Sequence, residues 1–216
     1  GMGTGTTLAQ VVADELDVDI TRIEIEPWST EAGKRDYGVA GQRGTRVATR
    51  AAYEASQDFK KNISLLTSEL LGWQEDNLII KDGKIVNRSS SEEVMFEDIV
   101  SRTGRSISGE ASIDEGDEIP YMSFTAHIAE VEVDPGTGTV WLKRYTAAHE
   151  TGKVVNPQGF TAQIEGGVIQ GIGHSLMEEL NAEDGRILNQ SFADYKMPTQ
   201  KDIPELNIVV LDSDLG

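Results

Sequence analysis

The sequence predicts an α+β fold of mixed sheets flanked by helices, divided between two lobes. Helical and strand-type segments follow one another without regular βα alternation, and no fixed-period repeat is present. Two turn signals lie between β-type segments, which favours local hairpins over a doubly wound sheet. With 216 residues and 38% apolar content, the chain can form one sizeable core or two closely packed lobes.

Four segments are predicted to be helices, mainly because their apolar residues recur at helical spacing. They are residues 6–16, 45–71, 96–103 and a segment that begins at Asn156-Pro157. Gly72 follows the longest of them and is suited to end it. The last helix is expected to be broken at Gly171 and Gly173, because glycine is unfavourable inside a helix.

Strands are predicted from short β-type segments and from the turns between them. Single strands are expected at residues 20–27 and 206–211, and Asp82-Gly83 indicates a tight hairpin within residues 77–86. The strongest turn signal is Asp134-Pro135-Gly136-Thr137-Gly138, which separates segments 124–133 and 139–148. The polar segment 104–120 is the expected boundary between the lobes, which we assign to residues 1–105 and 106–216.

The composition excludes several classes of site. Asp and Glu number 37 against 19 for Lys and Arg, and a net charge of -18 argues against nucleic-acid binding. Cysteine is absent, so this chain forms no disulfide, thiolate metal site or iron–sulfur cluster of its own. Neither a membrane span nor a signal peptide is visible, and a cytoplasmic location is the default expectation. An anionic ligand would need backbone N–H groups rather than a positive field.

Two glycine-rich segments precede predicted helices. Residues 1–7 contain Met2, Gly3, Thr4, Gly5 and Thr6 and resemble an anion cradle, although a flexible terminus explains them equally well. Residues 38–45 precede the longest helix. They offer hydrogen-bond donors at Gly41, Gln42, Arg43, Gly44 and Thr45. Neither segment has a Walker lysine or a dinucleotide-binding fingerprint.

A third glycine-rich segment lies inside the last helix. It runs from Gln163 to His174 and includes Gly166, Gly167, Gly171 and Gly173. Such a glycine face suggests close approach by a ligand, and tight helix packing is an equal alternative. Together the three segments favour a neutral-lined pocket for a polar anionic cofactor.

Short motifs run through the chain in a distinctive order. They are Met2-Gly3-Thr4-Gly5-Thr6 with Gln10 and Glu15; Glu130-Val131-Glu132-Val133-Asp134 with Thr137-Gly138; Gly152 and Asn156-Pro157; Gln163-Ile164-Glu165-Gly166-Gly167 with Gln170-Gly171 and Gly173; Glu178-Glu179; Tyr195-Lys196-Met197-Pro198; and Asp202-Ile203-Pro204. This series resembles the molybdenum hydroxylases, the family of xanthine dehydrogenases and aldehyde oxidases. The chain is similar to the second half of their molybdopterin-binding subunit.

The resemblance implies a domain of the molybdenum-cofactor-binding type and a set of cofactor contacts. Met2, Gly3 and Thr4, with Gly5 and Thr6, would lie near the pterin, and Gln163 would add a contact. Residues 41–45 would lie near the phosphate. The cofactor is a molybdopterin-type molybdenum cofactor, with the cytosine dinucleotide form as an alternative.

The same resemblance implies a reaction and its partners. The parent enzyme would hydroxylate an aldehyde or an N-heterocycle with water-derived oxygen at molybdenum. Its partners would be iron–sulfur and FAD domains or subunits and the N-terminal half of the molybdopterin subunit.

Some features depart from the family pattern. Thr4 stands where Gln is common, and Gln42 stands where Ser is common. The family's catalytic Glu lies in a Gly-Glu motif beyond residue 216, so no catalytic residue is assigned and the fragment alone is expected to be inactive. A degenerate assembly module without cofactor is therefore the alternative function.

The other candidate side chains give little indication of a metal site or of acid–base catalysis. His127, His149 and His174 lack the spacing of metal ligands, and no metal site is predicted. Glu178-Glu179 is expected to be structural, because adjacent side chains do not face one reacting centre.

Overall fold

The computed structural model describes residues 2–27, 29–31, 36, 38–41, 43–113, 122–211 and 213. It divides into two compact units, Gly3–Glu118 and Ile119–Gly216, each with its own hydrophobic core. Residues 105–110 stay with the first unit because they pack along its longest helix.

Two helices carry the first unit, α1 (Thr4–Leu16) and α2 (Thr49–Leu71). A π-helical turn, Gly44–Ala48, leads directly into α2. Gly72 ends α2 with a φ of 70°, a left-handed conformation that glycine adopts without strain. The predicted helices over residues 6–16 and 45–71 are confirmed, and the π-helical turn is an addition that their apolar spacing did not indicate.

A small antiparallel sheet and a short helix complete the first unit. The strands lie in the order β1-β2-β3 and are β1 (Leu78–Lys81), β2 (Lys84–Asn87) and β3 (Glu93–Met95). Helix α3 (Phe96–Thr103) follows β3 at once. The predicted hairpin at Asp82-Gly83 and the helix over residues 96–103 are confirmed, whereas β3 was not predicted.

The core of the first unit lies between α2, α3 and this sheet. Its buried members are Ile63, Leu66, Ile85, Val94 and Ile99. Half-buried aromatic side chains close its edge, and Phe59 packs edge-to-face on Phe96 with ring centroids 5.8 Å apart.

The predicted strand over residues 20–27 is wrong. Ile20–Arg22 form a single 3₁₀ turn, and residues 23–27 have no regular structure. The Asp19 carboxylate accepts a hydrogen bond from the Thr21 backbone N–H at 2.8 Å, which stabilises a turn instead of a strand. Ile25 is 41% exposed, so the imperfect alternation buries too little apolar surface to support a strand.

Three strands form the main sheet of the second unit in the order β4-β5-β8: β4 (Phe124–Val133), β5 (Val140–Glu150) and β8 (Glu205–Leu211). β4 is antiparallel to β5, and β8 is parallel to β5, so the sheet is mixed. The predicted hairpin and terminal strand are confirmed. In the turn, the Asp134 carboxylate accepts from the Gly136 N–H at 2.8 Å, and this bond lowers the pKa of Asp134.

A β-bulge aligns the two arms of this hairpin. Glu130 pairs with Arg144 and Val131 pairs with Leu142, which leaves Lys143 as the extra residue of β5. Without the extra residue, Leu142 and Tyr145 would lie on opposite faces of the sheet. The bulge therefore gathers the apolar residues of β5 on one face.

Helix α4 (Pro157–Leu176) packs on that face of the sheet. The side chain of Asn156 accepts a hydrogen bond from the Gly159 N–H at 2.8 Å and caps the helix. The predicted break at Gly171 and Gly173 is wrong, because α4 continues to Leu176. Burial of α4 side chains against the sheet outweighs the low helix propensity of glycine.

A second, very short hairpin follows α4 and was not predicted. It consists of β6 (Ala182–Glu183) and β7 (Arg186–Ile187). Among the described residues, no helix combines the length and the apolar character that a bilayer span requires.

Candidate functional site

The first glycine segment forms the start of α1. Gly3 takes a left-handed conformation with φ of 70°, and its carbonyl accepts bonds from the Thr7 N–H and hydroxyl at 3.0 and 3.1 Å. No side chain in the described part of the chain caps this helix end, and its first turn contains no acidic residue. The N–H groups of Thr4, Gly5 and Thr6 therefore point out of the helix as donors for an anion.

The second glycine segment lies against the first. A Cβ added to Gly44 would lie 3.3 Å from Thr4 Oγ1 and 3.5 Å from Val39 Cγ1. Gly44 thus allows the π-helical turn to approach the start of α1 closely. The structure brings together Thr4 and Gly44, which are separated by forty positions in the numbering.

The remaining predicted residues are placed as follows. Gly41 has a φ of 63°, with no atom near the position of a Cβ, and Arg43 is half-buried. Thr45 and Met2 are exposed. Gln42 lies outside the described residues. Gln163 belongs to the second unit, where it is exposed on α4.

Gln163 lines a groove between α4 and the β4–β5 hairpin. The groove has a volume of about 640 Å³ and mostly apolar walls. Four polar side chains join Gln163 in the lining: His127, Tyr145, His149 and Ser175. Such a combination of apolar walls and a few polar groups is common in binding sites.

The two histidines in this groove contact each other. His127 Nε2 lies 3.1 Å from His149 Nε2, and His127 Nδ1 lies 2.9 Å from the Tyr145 hydroxyl. Sequence spacing did not indicate this pair, because hairpin register places Thr125 opposite His149 and makes His127 its diagonal neighbour. The predicted hairpin contained the signal from which this histidine pair could have been found. Among the described residues no group of three or more potential metal ligands is found.

We expect His149 to make the stability of the protein pH-dependent. Burial, and secondarily His127, lower the pKa of His149. Because the unfolded state then binds the proton more readily, the free energy of unfolding falls as the pH drops below about 6.5. His149→Gln should weaken this loss, measured by chemical denaturation at about pH 7.5 and about pH 5.5. His174→Gln, at a residue whose side chain is 76% exposed, is the control, and equal losses in both variants would contradict the expectation.

Comparison with known proteins identifies the family. The sequence-family model described as molybdopterin cofactor-binding domain matches residues 1–204 of the chain. The chain belongs to the molybdopterin cofactor-binding domain family. It is 30% identical over 98% of its length to the gamma subunit of the 6-hydroxypseudooxynicotine dehydrogenase complex of Paenarthrobacter nicotinovorans. It is also 30% identical, over 98% of its length, to the aldehyde oxidoreductase molybdenum-binding subunit of Escherichia coli. The chain spans 28% of each relative.

Solved structures of the family share the fold. Quinoline 2-oxidoreductase from Pseudomonas putida 86 has a TM-score of 0.77 and 28% identity, over 99% of this chain and 28% of that one. A Cu,Mo-CO dehydrogenase has a TM-score of 0.83 at 22% identity, with the same coverage, and supports the fold alone. The predicted family and the α+β fold class are confirmed.

The residues around Thr4 and Gly44 fit the cofactor of this family. A pterin with its phosphate presents polar edges and negative charge, and the start of α1 presents uncapped N–H groups with no carboxylate in the first turn. Gly3 and Gly41 leave open space where a Cβ would stand. A bulky group can therefore approach the backbone there.

Another family motif has a structural role in this chain. The Tyr195 hydroxyl donates to Glu178 Oε2 at 2.6 Å, a bond that raises the pKa of Tyr195. A Cβ on Gly173 would lie 2.8 Å from Pro198 Cδ. The segment around Tyr195 and Pro198 is thus seated on the end of α4, and Glu178 is engaged in holding it there.

Proposed function

We propose that the chain forms part of the cofactor cradle of a molybdenum-dependent oxidoreductase that hydroxylates an aldehyde or an N-heterocycle. The observation that carries this proposal is the family match over residues 1–204. The names of two relatives indicate the same chemistry. One is an aldehyde oxidoreductase subunit, and the other is the large subunit of a nicotine 6-hydroxylase. Because the chain spans 28% of such a relative, the activity belongs to a longer protein.

The chain's own contribution is to bind and orient the cofactor. The N–H groups of Thr4, Gly5 and Thr6 would donate to polar atoms of the pterin, and their alignment with α1 favours negative charge. Residues 41–45 would donate to the phosphate, and the exposed amide of Gln163 would add a neutral contact. When bound, the molybdenum cofactor supplies the redox chemistry that hydroxylates the substrate with oxygen from water.

The proposal extends to partners and form of the cofactor. Names such as "complex subunit gamma" and "large subunit" indicate that these relatives are subunits of larger assemblies. For the present protein we propose iron–sulfur and FAD centres on partner subunits or domains, because the chain has no cysteine for a cluster. The cytosine dinucleotide form of the cofactor and the catalytic Glu outside these 216 residues are proposed on the family resemblance, and a cytoplasmic location is proposed as the default.

Cofactor content of the complete gene product tests the proposal. We expect the purified subunit, expressed with cofactor biosynthesis, to contain molybdenum and pterin in nearly equimolar amounts. Gln163→Leu removes a side-chain amide from an exposed position and should lower the content several-fold without lowering the unfolding midpoint. Gln158→Leu makes the same change on another face of α4 and should leave the content unchanged. A folded complete subunit without molybdenum or pterin would overturn the proposal.

The alternative is a degenerate assembly module without cofactor. Thr4 and Gln42 favour it, because they stand where the family commonly has Gln and Ser. The complete gene discriminates between the two functions, since only an active hydroxylase needs the Gly-Glu motif and the first half of the subunit.

A further inference from the structure

Two histidines of the β4–β5 hairpin turn their ring nitrogens toward each other. His127 Nε2 lies 3.1 Å from His149 Nε2, and the ring planes are tilted by 58° with centroids 5.1 Å apart. The strand register pairs His149 with Thr125, so His127 is its diagonal neighbour on the same face of the sheet. The pair is therefore held by two paired strands and not by a loop.

The distance between the two nitrogens suits one shared cation. In proteins a Zn²⁺ ion lies about 2.0 to 2.1 Å from an imidazole nitrogen. Two such bonds across a nitrogen–nitrogen separation of 3.1 Å enclose an angle of about 100°, which is near the tetrahedral angle that Zn²⁺ adopts. Because the χ2 angle of histidine is broad, small ring rotations are enough to turn both lone pairs toward the ion. A cation can thus replace the hydrogen-bonded proton between the two Nε2 atoms.

Aromatic neighbours orient both imidazole rings. His127 Nδ1 lies 2.9 Å from the Tyr145 hydroxyl. When the Nδ1–H donates to that hydroxyl oxygen, the lone pair of the ring is on Nε2, which faces His149. Histidines that bind metals commonly donate their second N–H to such a partner. The ring of Phe160 packs edge-to-face on His149, with centroids 6.4 Å apart. Tyr145 therefore favours the tautomer of His127 that a metal requires.

The surroundings of the pair select the kind of cation. Among the described residues that line the groove none is acidic, so the pair offers nitrogen ligands without a carboxylate. Mg²⁺ and Ca²⁺ require oxygen ligands, whereas Zn²⁺, Ni²⁺ and Cu²⁺ bind imidazole well. Burial, and secondarily His127, lower the pKa of His149, which keeps this ring neutral and able to bind near neutral pH.

We propose that His127 and His149 form a two-histidine site for a late first-row divalent cation such as Zn²⁺, with Tyr145 as a positioning residue. Two protein ligands leave the remaining coordination positions to water, so the site is open, unlike a structural zinc site with four protein ligands. The site goes beyond the proposed function, because none of these three residues is among the proposed cofactor contacts.

Equilibrium dialysis against Zn²⁺ tests the proposal. The 216-residue chain and the complete gene product are dialysed with excess Mg²⁺, which occupies surface carboxylates, and bound zinc is measured by elemental mass spectrometry. We expect one saturable zinc ion per chain, which His127→Gln should abolish. Tyr145→Phe should weaken binding by about tenfold, as loss of a partner that orients a ligand does. His174→Gln is the matched control and should bind as the wild type does, although His174 Nδ1 lies 3.6 Å from Glu178.

Nuclear magnetic resonance identifies the ligands without any variant. The chain has three histidines, so the ring nitrogens of all of them can be followed during a zinc titration of the 216-residue chain. We expect the Nε2 resonances of His127 and His149 to shift together at one equivalent and those of His174 to stay unchanged.

Several outcomes would overturn the proposal. Equal zinc binding by the wild type and His127→Gln would mean adventitious zinc only. A shift of one ring without the other would show that the two Nε2 atoms do not share the ion. Unchanged affinity in Tyr145→Phe would remove its positioning role. A complete gene product that takes up no zinc at the pair would exclude the site from the whole protein.

Discussion

Gly109→Ala should destabilise the first unit by about 3 kcal/mol, at the upper end of the cost of overpacking. A Cβ at this position would lie 2.0 Å from the Ala55 carbonyl oxygen and 2.6 Å from the Phe59 nitrogen. Both atoms belong to the backbone of α2, so no side-chain rotation can relieve the contact. To relieve this contact, either residues 105–110 must lift from α2 or α2 must bend.

Contacts on both sides of Gly109 fix the segment on α2. The Ser108 carbonyl accepts from Asn62 Nδ2 at 2.9 Å, and the Glu110 N–H donates to Asp58 Oδ2 at 3.0 Å. Ile107 packs on the core of the first unit. Lifting the segment would break these contacts together, which is why the expected cost exceeds that of an ordinary surface change.

Hydrogen exchange measures this effect within the first unit. Peptides from α2 should exchange faster in Gly109→Ala, and the denaturation midpoint should fall. Ser108→Ala is the control, because only the backbone carbonyl of Ser108 makes the bond to Asn62, and it should change stability by less than about 0.5 kcal/mol. Equal exchange in the two variants would show that residues 105–110 do not pack on α2 as described.

Gly173→Ala should destabilise the second unit by about 1 to 3 kcal/mol, although alanine is the better helix former. The new Cβ would lie 2.2 Å from Glu178 Oε1 and 2.8 Å from Pro198 Cδ. The Glu178 side chain can move only by giving up its bond from Tyr195, and the proline ring is rigid. The contacts that seat the Tyr195 segment on α4 would therefore be lost.

Gly166→Ala is the matched control in the same helix. No atom lies within 4 Å of its Cβ position, so the substitution should be neutral or should stabilise α4 by up to about 1 kcal/mol. Chemical denaturation and hydrogen exchange of α4 peptides compare the two variants. A loss of stability in both would mean that helix geometry at these glycines, rather than contact with Pro198, sets the effect.

Local patterns predicted most secondary-structure elements. The Asp82-Gly83 and Asp134 turns predicted their hairpins because turn geometry depends on a few adjacent residues. The same reasoning failed at Ile20 and at Gly171, where the outcome depends on burial. Residue 25 stays exposed and forms no strand, whereas the glycines of α4 stay helical because the helix packs on the sheet.

The structure brings together residues whose proximity the sequence does not indicate. Thr4 and Gly44 lie close together, and periodicity could not indicate this because it depends on how α1 packs against the π-helical turn. Spacing along the chain does not reveal the His127–His149 pair, because the two side chains meet only across the hairpin. The pair depends on the strand register.

The amino-acid sequence alone determined the α+β class, the main hairpins, the absence of cysteine chemistry and the family resemblance, because each depends on residue type and on spacing within short segments. Tertiary structure alone decided which glycines are in close contact, which face of the β4–β5 hairpin packs on α4 and how α4 stays continuous. Those properties depend on distances between segments far apart in sequence. Such distances arise from the packing of whole elements and are not encoded in any local pattern.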